Sequence, residues 1–446
     1  MPQHPTIHKT GAAGDEIVFP VGSRGELHVL STRLFKTARF SLVTVLPQTR
    51  KTAVLCPLLL STLTQGCEGY PSFEAISCRT DDLWGSILRC QDAVRGERRF
   101  FGFTVSFVDP AFLPEKTSLL ADLADLVRRL LFSPLSDENG LFPAKTVEIA
   151  KQRQIDSIRS LVSSPRRYAA EHSETFFFGD RPCGIPDCGS EEETNAVTPE
   201  ELTAFWRDWR KTAFFHLFYT GASDPAEVAG ALAGVFGNDF CGKAAKMPPF
   251  LTVPAPKRAA AVRRLEEPFP IEQGHLILGF QTGGDLPFGR ESTALLLANE
   301  VLGGSPTSLL FMNVREKMSL CYAISSSYSA FRASLFIKCA LDPANRETAE
   351  REILRQVERL KKGDFTDEEL AAARNSLIFV YRAISDDSES VERVLLLHTL
   401  TPDRRSPEEM ISLLRSLTRE EVVRAANLLS LETVYFLRGN LKEGAL

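Results

Sequence analysis

Phe40-Ser-Leu-Val-Thr-Val-Leu46 is an apolar stretch typical of a buried β-strand, and the apolar run after the next polar loop predicts a helix at Val54–Leu63. The same order returns later in the chain, where His275-Leu-Ile-Leu-Gly-Phe280 predicts a strand and Ser292–Leu302 predicts a helix. Glycine follows both predicted helices, and glycine best tolerates the left-handed conformation of a helix C-cap. The repetition indicates a duplicated chain with a period of just over two hundred residues.

The duplication extends to the next strand of each copy. Phe103–Val108 predicts a strand that runs into Asp109-Pro110, and Leu335–Ala340 predicts a strand that runs into Asp342-Pro343. Asp-Pro favours a turn that ends a strand, and an amphipathic helix is predicted after each turn. Loops of different length between these matching elements indicate two homologous halves.

Both halves also close in the same way. Thr198 and Thr418 each stand three residues before a glutamate, which is the spacing of a capping box at the start of a helix. Apolar strands are predicted after these helices, at Phe214–Tyr219 and Val434–Leu437. We therefore predict an α+β protein of two tandem homologous halves, each an antiparallel-rich sheet covered by helices.

The repeat also predicts the domain boundaries. It assigns residues 1–20 to an N-terminal tail, 21–239 to the first half, 240–267 to a linker and 268–446 to the second half. The linker is rich in Lys, Pro and Ala, a composition typical of connections between domains.

Length and composition exclude some classes of function. At 446 residues the chain is longer than one hydrophobic core usually supports. Its contents of 43% hydrophobic and 24% charged residues are those of an ordinary globular protein. A net charge of −5 argues against a nucleic-acid surface, which needs a basic excess. No apolar run is long enough to span a membrane and no signal-peptide core begins the chain, so we expect a cytoplasmic protein with no membrane partner.

The nine cysteines show no framework of disulfides or metal ligands. Cys183 and Cys188 are the closest pair, but neither a second pair nor a histidine lies near them in the sequence. A structural zinc site would need these additional ligands, so we interpret both residues as reduced loop thiols.

A motif in the second half resembles a known family. Gly303-Gly304-Ser-Pro-Thr-Ser-Leu-Leu-Phe311 is followed by Asn313-Val-Arg-Glu-Lys317 and then by Leu320-Cys-Tyr-Ala323. This series of a Gly-rich turn, a leucine-phenylalanine pair, Arg-Glu-Lys and Leu-x-Tyr resembles the pitrilysin/insulinase family of zinc peptidases. The order of elements extends the resemblance over nearly the whole chain. It implies the metallohydrolase-like fold of the mitochondrial processing peptidases.

The first half resembles the segment of that family that carries zinc, but without its ligands. Family enzymes have His-x-x-Glu-His on the first helix, where two histidines bind zinc and the glutamate activates water. Counting back from Gly66, these positions fall on Pro57, Leu60 and Ser61, and none of the three is a zinc ligand or a general base. The distant glutamate that completes the family's site would fall near Asp156-Ser157, in a helix predicted at 144–161.

This loss of ligands is typical of non-catalytic bacterial members of the family. The sequences of Gln65–Ser72 and Leu83–Gly85 most resemble those of a non-catalytic member that is associated by name with the aminopentanol modification of elongation factor P. Histidine usage agrees, because no histidine is followed by glutamate and His216 and His275 are predicted to be core or edge residues of apolar strands. A zinc hydrolase needs about three convergent ligands. We predict no metal and no cofactor on this chain, and zinc only on a partner.

The resemblance assigns substrate-binding roles in the second half. In the family an arginine and a tyrosine bind the substrate backbone and stabilise charge on the scissile carbonyl, and these roles fall on Arg315 and Tyr322. A guanidinium and a phenol suit an oxyanion clamp. Their spacing of seven residues would place them on one face if the whole stretch were helical. Gly303 and Gly304 of the same motif are predicted to contribute to substrate binding.

Three hypotheses follow for function. The first is a catalytically inactive subunit of a heterodimeric zinc peptidase, which contributes Arg315 and Tyr322 to a homologous zinc-bearing partner and helps to bind extended peptides. The second is a purely structural or scaffolding homologue with no role in proteolysis. The third is an enzyme with an unrecognised site, for which Cys321 is the nearest thiol to the motif but has no histidine close in sequence.

Overall fold

A computed structural model describes residues 6–9, 14–114, 118–243, 261–283, 289–402 and 404–440. The chain forms two compact units, and each takes segments from both halves of the sequence. Unit 1 contains Met1–Arg159, Pro186–Phe250 and Ile384–Ser406, and unit 2 contains Ser160–Ile185, Leu251–Ala383 and Pro407–Leu446. No helix among the described residues has the length and apolar character that crossing a membrane requires.

Unit 1 is built on a seven-stranded sheet. Its strands are β1 (Thr6–Lys9), β2 (Asp15–Val21), β3 (Gly25–Ser31), β4 (Thr37–Pro47), β5 (Ile87–Arg95), β6 (Arg98–Val108) and β7 (Phe215–Gly221). They lie in the order β1-β2-β3-β7-β4-β6-β5, and only β3 and β7 are parallel neighbours.

The helices of unit 1 cover this sheet. They are α1 (Arg50–Leu63), α2 (Phe73–Asp82), α3 (Leu119–Phe132), α4 (Ala144–Ser160), α6 (Glu191–Ala196), α7 (Pro199–Thr212), α8 (Pro225–Phe236) and α12 (Ser388–His398). Alternate residues of the strands, such as Leu27, Phe40 and Leu217, pack into one apolar core with buried residues of α1, α3, α7 and α8. The opposite side chains of the same strands are largely polar, and α12 packs on β4 and β7.

Unit 2 is built on a five-stranded sheet. Its strands are β8 (Arg263–Phe269), β9 (Gly274–Gln281), β10 (Ala323–Ser329), β11 (Ser334–Leu341) and β12 (Ser430–Gly439), in the order β10-β11-β9-β12-β8. Only β12 and β8 are parallel. Its helices are α5 (Pro165–Phe178), α9 (Arg290–Asn299), α10 (Arg346–Lys362), α11 (Asp367–Ala383), α13 (Pro407–Ser416) and α14 (Arg419–Ala426).

Each half of the sequence gives a helix to the unit that contains the sheet of the other half. Helix α5, from the first half, packs on β9 and β12 through Phe177 and Phe178, which join an apolar cluster with Phe336 and Tyr435. Arg263 of β8 donates hydrogen bonds to the carbonyls of residues 176 and 177 at the end of this helix. Helix α12, from the second half, packs in the same way on β4 and β7 of unit 1.

The predicted fold class is confirmed, because both sheets are antiparallel-rich and helix-covered. The predicted boundaries differ from the structure. Residues 15–20 are not a tail, because they pair with β3 as part of β2, and Arg263–Glu267 of the predicted linker pair with β12 as part of β8. Residues 1–5 and 10–13 of the predicted tail, and 244–260 of the predicted linker, lie outside the described residues.

Candidate functional site

Arg315 lies in unit 2 on a short π-helical segment, Phe311–Lys317. Its guanidinium stacks over the ring of Phe311, with the carbon Cζ 4.6 Å from the ring centroid, and lies 3.3 Å from the carboxylate of Glu316. The side chain is 39% exposed, so a guanidinium held on an aromatic face remains open to a ligand.

Tyr322 does not share a helix with Arg315. The π-helical segment ends at Lys317, and Ser319 adopts a left-handed conformation with φ of 49°, which turns the chain towards the sheet. The backbone N–H of Tyr322 donates to the carbonyl of Ala340 at 2.8 Å, immediately before β10 begins. The condition for a shared helical face, a helix over the whole stretch, is therefore not met, although Tyr322 is 57% exposed and lies within the same unit.

Gly303 and Gly304 lie at the end of a π-helical turn that continues α9, Glu300–Gly304. Neither has a positive φ, so the expected left-handed cap is not formed there. A Cβ atom on Gly303 would lie 2.8 Å from the backbone nitrogen of Ser326 on β10, and a Cβ atom on Gly304 would meet the carboxylate of Glu300. Close packing explains the two glycines, and their role in substrate binding stays a prediction.

The three positions that correspond to the family's zinc motif lie on α1 and offer no metal ligand. Leu60 is 2% exposed and belongs to the apolar core of unit 1. Pro57 and Ser61 are half-buried, and Pro57 lies inside the helix. The carbonyl of Ser61 accepts hydrogen bonds from Thr64 and Gln65 in the last turn.

The residue of α4 that reaches α1 is Gln154, two positions before the predicted Asp156-Ser157. Its amide nitrogen donates to the carbonyls of Val54 at 3.3 Å and Cys188 at 2.9 Å. Asp156 is exposed and accepts from Gln152 on its own helix. The carboxylate near this position therefore points away from α1, and the group that faces α1 is an amide whose nitrogen is already hydrogen-bonded.

A cluster of ionisable groups lies elsewhere in unit 1. Glu26, His28 and His216 each offer a donor atom, and these atoms lie within 4.8 Å of one another. Oε1 of Glu26 lies 3.0 Å from Nε2 of His28 and 2.9 Å from Nδ1 of His216. It is the single group of three or more such donors that the described part of the chain brings together.

Strand pairing explains why the cluster forms. In the parallel pair of β3 and β7, Glu26 is the register partner of His216, and His28 follows Glu26 by two residues on the same side of β3. Both histidines are almost fully buried, and Glu26 is 21% exposed. These three side chains could act as metal ligands, and the prediction that the chain binds no metal stays a prediction. The Glu-x-His alternation in β3 was the available signal, but the pairing of β3 with a strand almost two hundred residues away was not predictable.

Buried charges surround the cluster. Glu16 of β2, which is fully buried, contacts Nδ1 of His28 at 2.6 Å, and Arg404 lies 3.6 Å from its other oxygen. Burial lowers the pKa of His28, but its hydrogen bonds with Glu16 and Glu26 outweigh burial and raise that pKa to about 9. Burial also lowers the pKa of His216, and there it prevails over the attraction of Glu26.

The geometry gives no support to a cysteine nucleophile. Cys321 is only 9% exposed. A hydrogen bond with Cys339 lowers the pKa of its thiol, burial opposes this shift, and the charge of Arg315 adds to the lowering. The nine cysteines, all of them among the described residues, form no disulfide, and Cys183 and Cys188 belong to different units. A thiol that is buried in this way is poorly placed to attack a substrate.

Comparisons with known proteins agree with this arrangement. Residues 196–377 match the description "Peptidase M16 inactive domain", a range that includes Arg315 and Tyr322 but not α1. The "Probable inactive metalloprotease YmfF" of Bacillus subtilis is 23% identical over 94% of this chain and 96% of its own. An "Uncharacterized zinc protease YmxG" of the same species is 27% identical over 47% of each chain.

Solved structures share the fold over its full length. A conserved protein from Enterococcus faecalis V583 superposes with a TM-score of 0.87 at 23% identity, over 96% of this chain and 99% of that chain. A peptidase M16 inactive domain from Pseudomonas fluorescens superposes with a TM-score of 0.73 at 16% identity, with both chains fully covered. With no zinc ligand at the three α1 positions, the chain is similar to inactive, metalloprotease-like members of the M16 peptidase family.

Proposed function

We propose that this chain is the catalytically inactive subunit of a heterodimeric zinc peptidase. In this proposal Arg315 and Tyr322 bind the substrate and stabilise the oxyanion, while a homologous partner chain holds the only catalytic zinc. One contrast carries the proposal: the zinc positions of α1 are filled by Pro57, Leu60 and Ser61, whereas the arginine and the tyrosine of the second half are exposed.

The chemistry of the two side chains suits an oxyanion. A guanidinium is charged at every physiological pH. Because the Arg315 side chain is already stacked on Phe311, it loses less conformational freedom when a substrate binds. The phenol of Tyr322 is a strong hydrogen-bond donor. Preorganised donors of this kind stabilise the charge that develops when a peptide carbonyl is attacked.

The edge of the five-stranded sheet suits an extended peptide. Strand β10 begins directly after Tyr322 and, among the strands of the described residues, pairs with β11 alone. An edge strand offers backbone donors and acceptors to which a peptide can add as a further strand. The exposed side chains of Ser325 and Ser327 are small, so they would leave room for the side chains of a bound peptide.

Reconstitution with a zinc-bearing homologue tests the proposal. The pure chain is expected to show no peptidase activity, and mixing it with a homologue that carries His-x-x-Glu-His should produce zinc-dependent cleavage of extended peptides. Arg315→Ala should lower kcat of the assembled pair by about 100-fold, because removal of one oxyanion donor typically costs that much. Size-exclusion chromatography should show that the pair still assembles.

Matched variants separate this role from loss of structure. Tyr322→Phe should lower kcat, whereas Tyr328→Phe, on β10 and half-buried against Ser292, should not. Arg351→Ala on α10 serves as the exposed arginine control. Full activity of both Arg315→Ala and Tyr322→Phe would favour the scaffolding alternative, and cleavage by the pure chain would contradict the proposal outright.

A further inference from the structure

The Glu26, His28 and His216 cluster lies apart from the α1 positions and is not used by the function proposed above. Its residues come from β3 and β7, on the side of the sheet opposite the apolar core that contains Leu27 and Leu217. The group is therefore not a by-product of core packing, and its donor atoms define a small polar centre inside unit 1.

We propose that Glu26, His28 and His216 form a site for a divalent first-row transition ion, for which zinc is the best-fitting ion. The ligand atoms would be Oε1 of Glu26, Nε2 of His28 and Nδ1 of His216. Two imidazoles and one carboxylate are a donor set that binds zinc with a fourth position open. Hard ions such as magnesium prefer sites made of oxygen alone.

The distances agree with this assignment. Bonds of about 2.0 Å in a tetrahedral arrangement place ligand atoms about 3.3 Å apart. The carboxylate oxygen of Glu26 lies 3.0 Å and 2.9 Å from the two imidazole nitrogens. The two imidazole nitrogens lie within 4.8 Å of each other, so all three ligand atoms are close enough to converge on one ion.

His216 provides a second, independent observation. Its Nδ1 atom is buried and has no hydrogen-bond partner, although it lies 2.9 Å from Oε1 of Glu26. An unsatisfied polar atom inside a protein costs free energy. An ion between this nitrogen and Glu26 would satisfy the atom.

The surroundings also suit a metal ligand. Histidines that bind metals usually donate their other ring N–H to a carboxylate, which fixes the tautomer and the ring orientation. Glu16 contacts Nδ1 of His28 at 2.6 Å and so leaves Nε2 directed at Glu26. The partly exposed Glu26 gives an ion a route to the otherwise buried site.

Metal binding by the full-length chain tests the proposal without any peptidase assay. After treatment with a chelator, the protein should bind one equivalent of Zn²⁺ in isothermal titration calorimetry, with a Kd below about 1 μM, and Mg²⁺ should not compete. Co²⁺ should give the visible absorption of a four- or five-coordinate ion. His216→Ala should abolish both signals.

A control histidine and a folding measurement keep the test decisive. His275 is a half-buried strand histidine of unit 2, so His275→Ala should bind zinc as the original protein does. Circular dichroism should show that both variants are folded, and Glu26→Gln, which keeps the size of the side chain, should also lose the site. Failure of the folded original protein to bind Zn²⁺ would overturn the proposal, as would zinc retained by His216→Ala. Neither result bears on the role of Arg315.

Discussion

Arg39 of β4 and Glu392 of α12 form an ion pair between the sheet of unit 1 and the helix that packs on it. Nε of Arg39 lies 3.0 Å from the Glu392 carboxylate, which also accepts a hydrogen bond of 2.7 Å from Ser41. Glu392 is 1% exposed and Arg39 is 12% exposed. A buried pair of this kind contributes little net stability when intact, but removal of one partner leaves a buried charge without compensation.

Arg39→Ala should therefore lower the stability of the protein by about 3 kcal/mol at neutral pH. Burial already raises the pKa of Glu392 despite the opposing charge of Arg39, and the pKa should rise further in the variant. A raised pKa favours the protonated, folded form at low pH, and this advantage is lost as the pH rises through the folded-state pKa. Urea unfolding should thus show a smaller loss at pH 5 than at pH 8.

Arg393 supplies the control on the same helix. It is 58% exposed and lies 3.5 Å from Glu389, one turn away. Such surface pairs are worth about 0.5 kcal/mol or less, so Arg393→Ala should change the urea midpoint very little at either pH. Equal shifts of the urea midpoint for Arg39→Ala and Arg393→Ala would show that the buried Arg39 pair contributes no more to stability than an exposed pair.

Substitution of Gly303, which the sequence predicts to bind substrate, tests whether this glycine is needed for close packing. Alanine there would place its Cβ 2.8 Å from the nitrogen and Oγ of Ser326, so the π-helical turn or β10 would have to shift. Overpacking of this size costs about 2 kcal/mol, which should appear as a lower unfolding temperature. Gly234→Ala, at an exposed site of α8 with open space around it, should instead stabilise slightly. A stable Gly303→Ala variant would contradict the packing explanation.

At the scale of single elements, helix α1 shows how a lost motif can be replaced without loss of the helix. Thr49 caps the helix through a reciprocal pair with Thr52, and ten of its fourteen residues are buried. Pro57 lacks a backbone N–H and sits inside the helix, where proline is unfavourable. The helix therefore depends on packing against its core rather than on intrinsic propensity.

Pro57→Ala should stabilise the protein, because alanine restores a backbone donor in the middle of α1. The gain should be about 1 kcal/mol, since the greater freedom of the unfolded chain offsets part of the benefit. Thermal unfolding measures it, and Ser61→Ala one turn later should change the midpoint less. A lower midpoint for Pro57→Ala would mean that the proline ring itself is needed for packing.

The sequence predicted the elements better than their partners. The apolar run at Val54–Leu63 correctly predicted α1, which begins four residues earlier, and Thr418 forms the predicted capping box of α14. At Thr198 only one half of the predicted box is present, since its side chain accepts from Glu201 without a reciprocal bond. Patterns in a sequence report which side of an element is apolar, and this explains why the element order was predictable.

The apolar pattern of a helix does not specify the sheet on which that helix packs. The apolar residues of α5 predict a buried face but not that the face covers β9 and β12. The same limit applied to the candidate sites. Arg315 and Tyr322 were found through a local motif, whereas Glu26 and His216 meet through a strand pairing that no local signal specifies.

At the scale of the whole molecule, the exchange of α5 and α12 makes the two halves of the chain depend on each other. Phe177 of α5 is 2% exposed and packs with its ring centroid 5.0 Å from that of Phe336 on β11. Glu174 of the same helix contacts Arg332 and lies 3.7 Å from Lys338. Unit 2 therefore cannot complete its core from the second half of the sequence alone.

A chain cut between residues 244 and 260 should stay together for this reason. The first piece would carry α5 into unit 2, and the second piece would carry α12 into unit 1. An engineered protease site in this segment should give two pieces that elute together in size-exclusion chromatography and separate only in denaturant. Phe177→Ala should weaken their association, because truncation of a buried phenylalanine typically costs about 3 to 5 kcal/mol. The matched control is Phe379→Ala, since Phe379 is 73% exposed on α11 and its loss should leave the pieces joined. Pieces of the original sequence that separate in native buffer would show that the exchanged helices do not hold the molecule together.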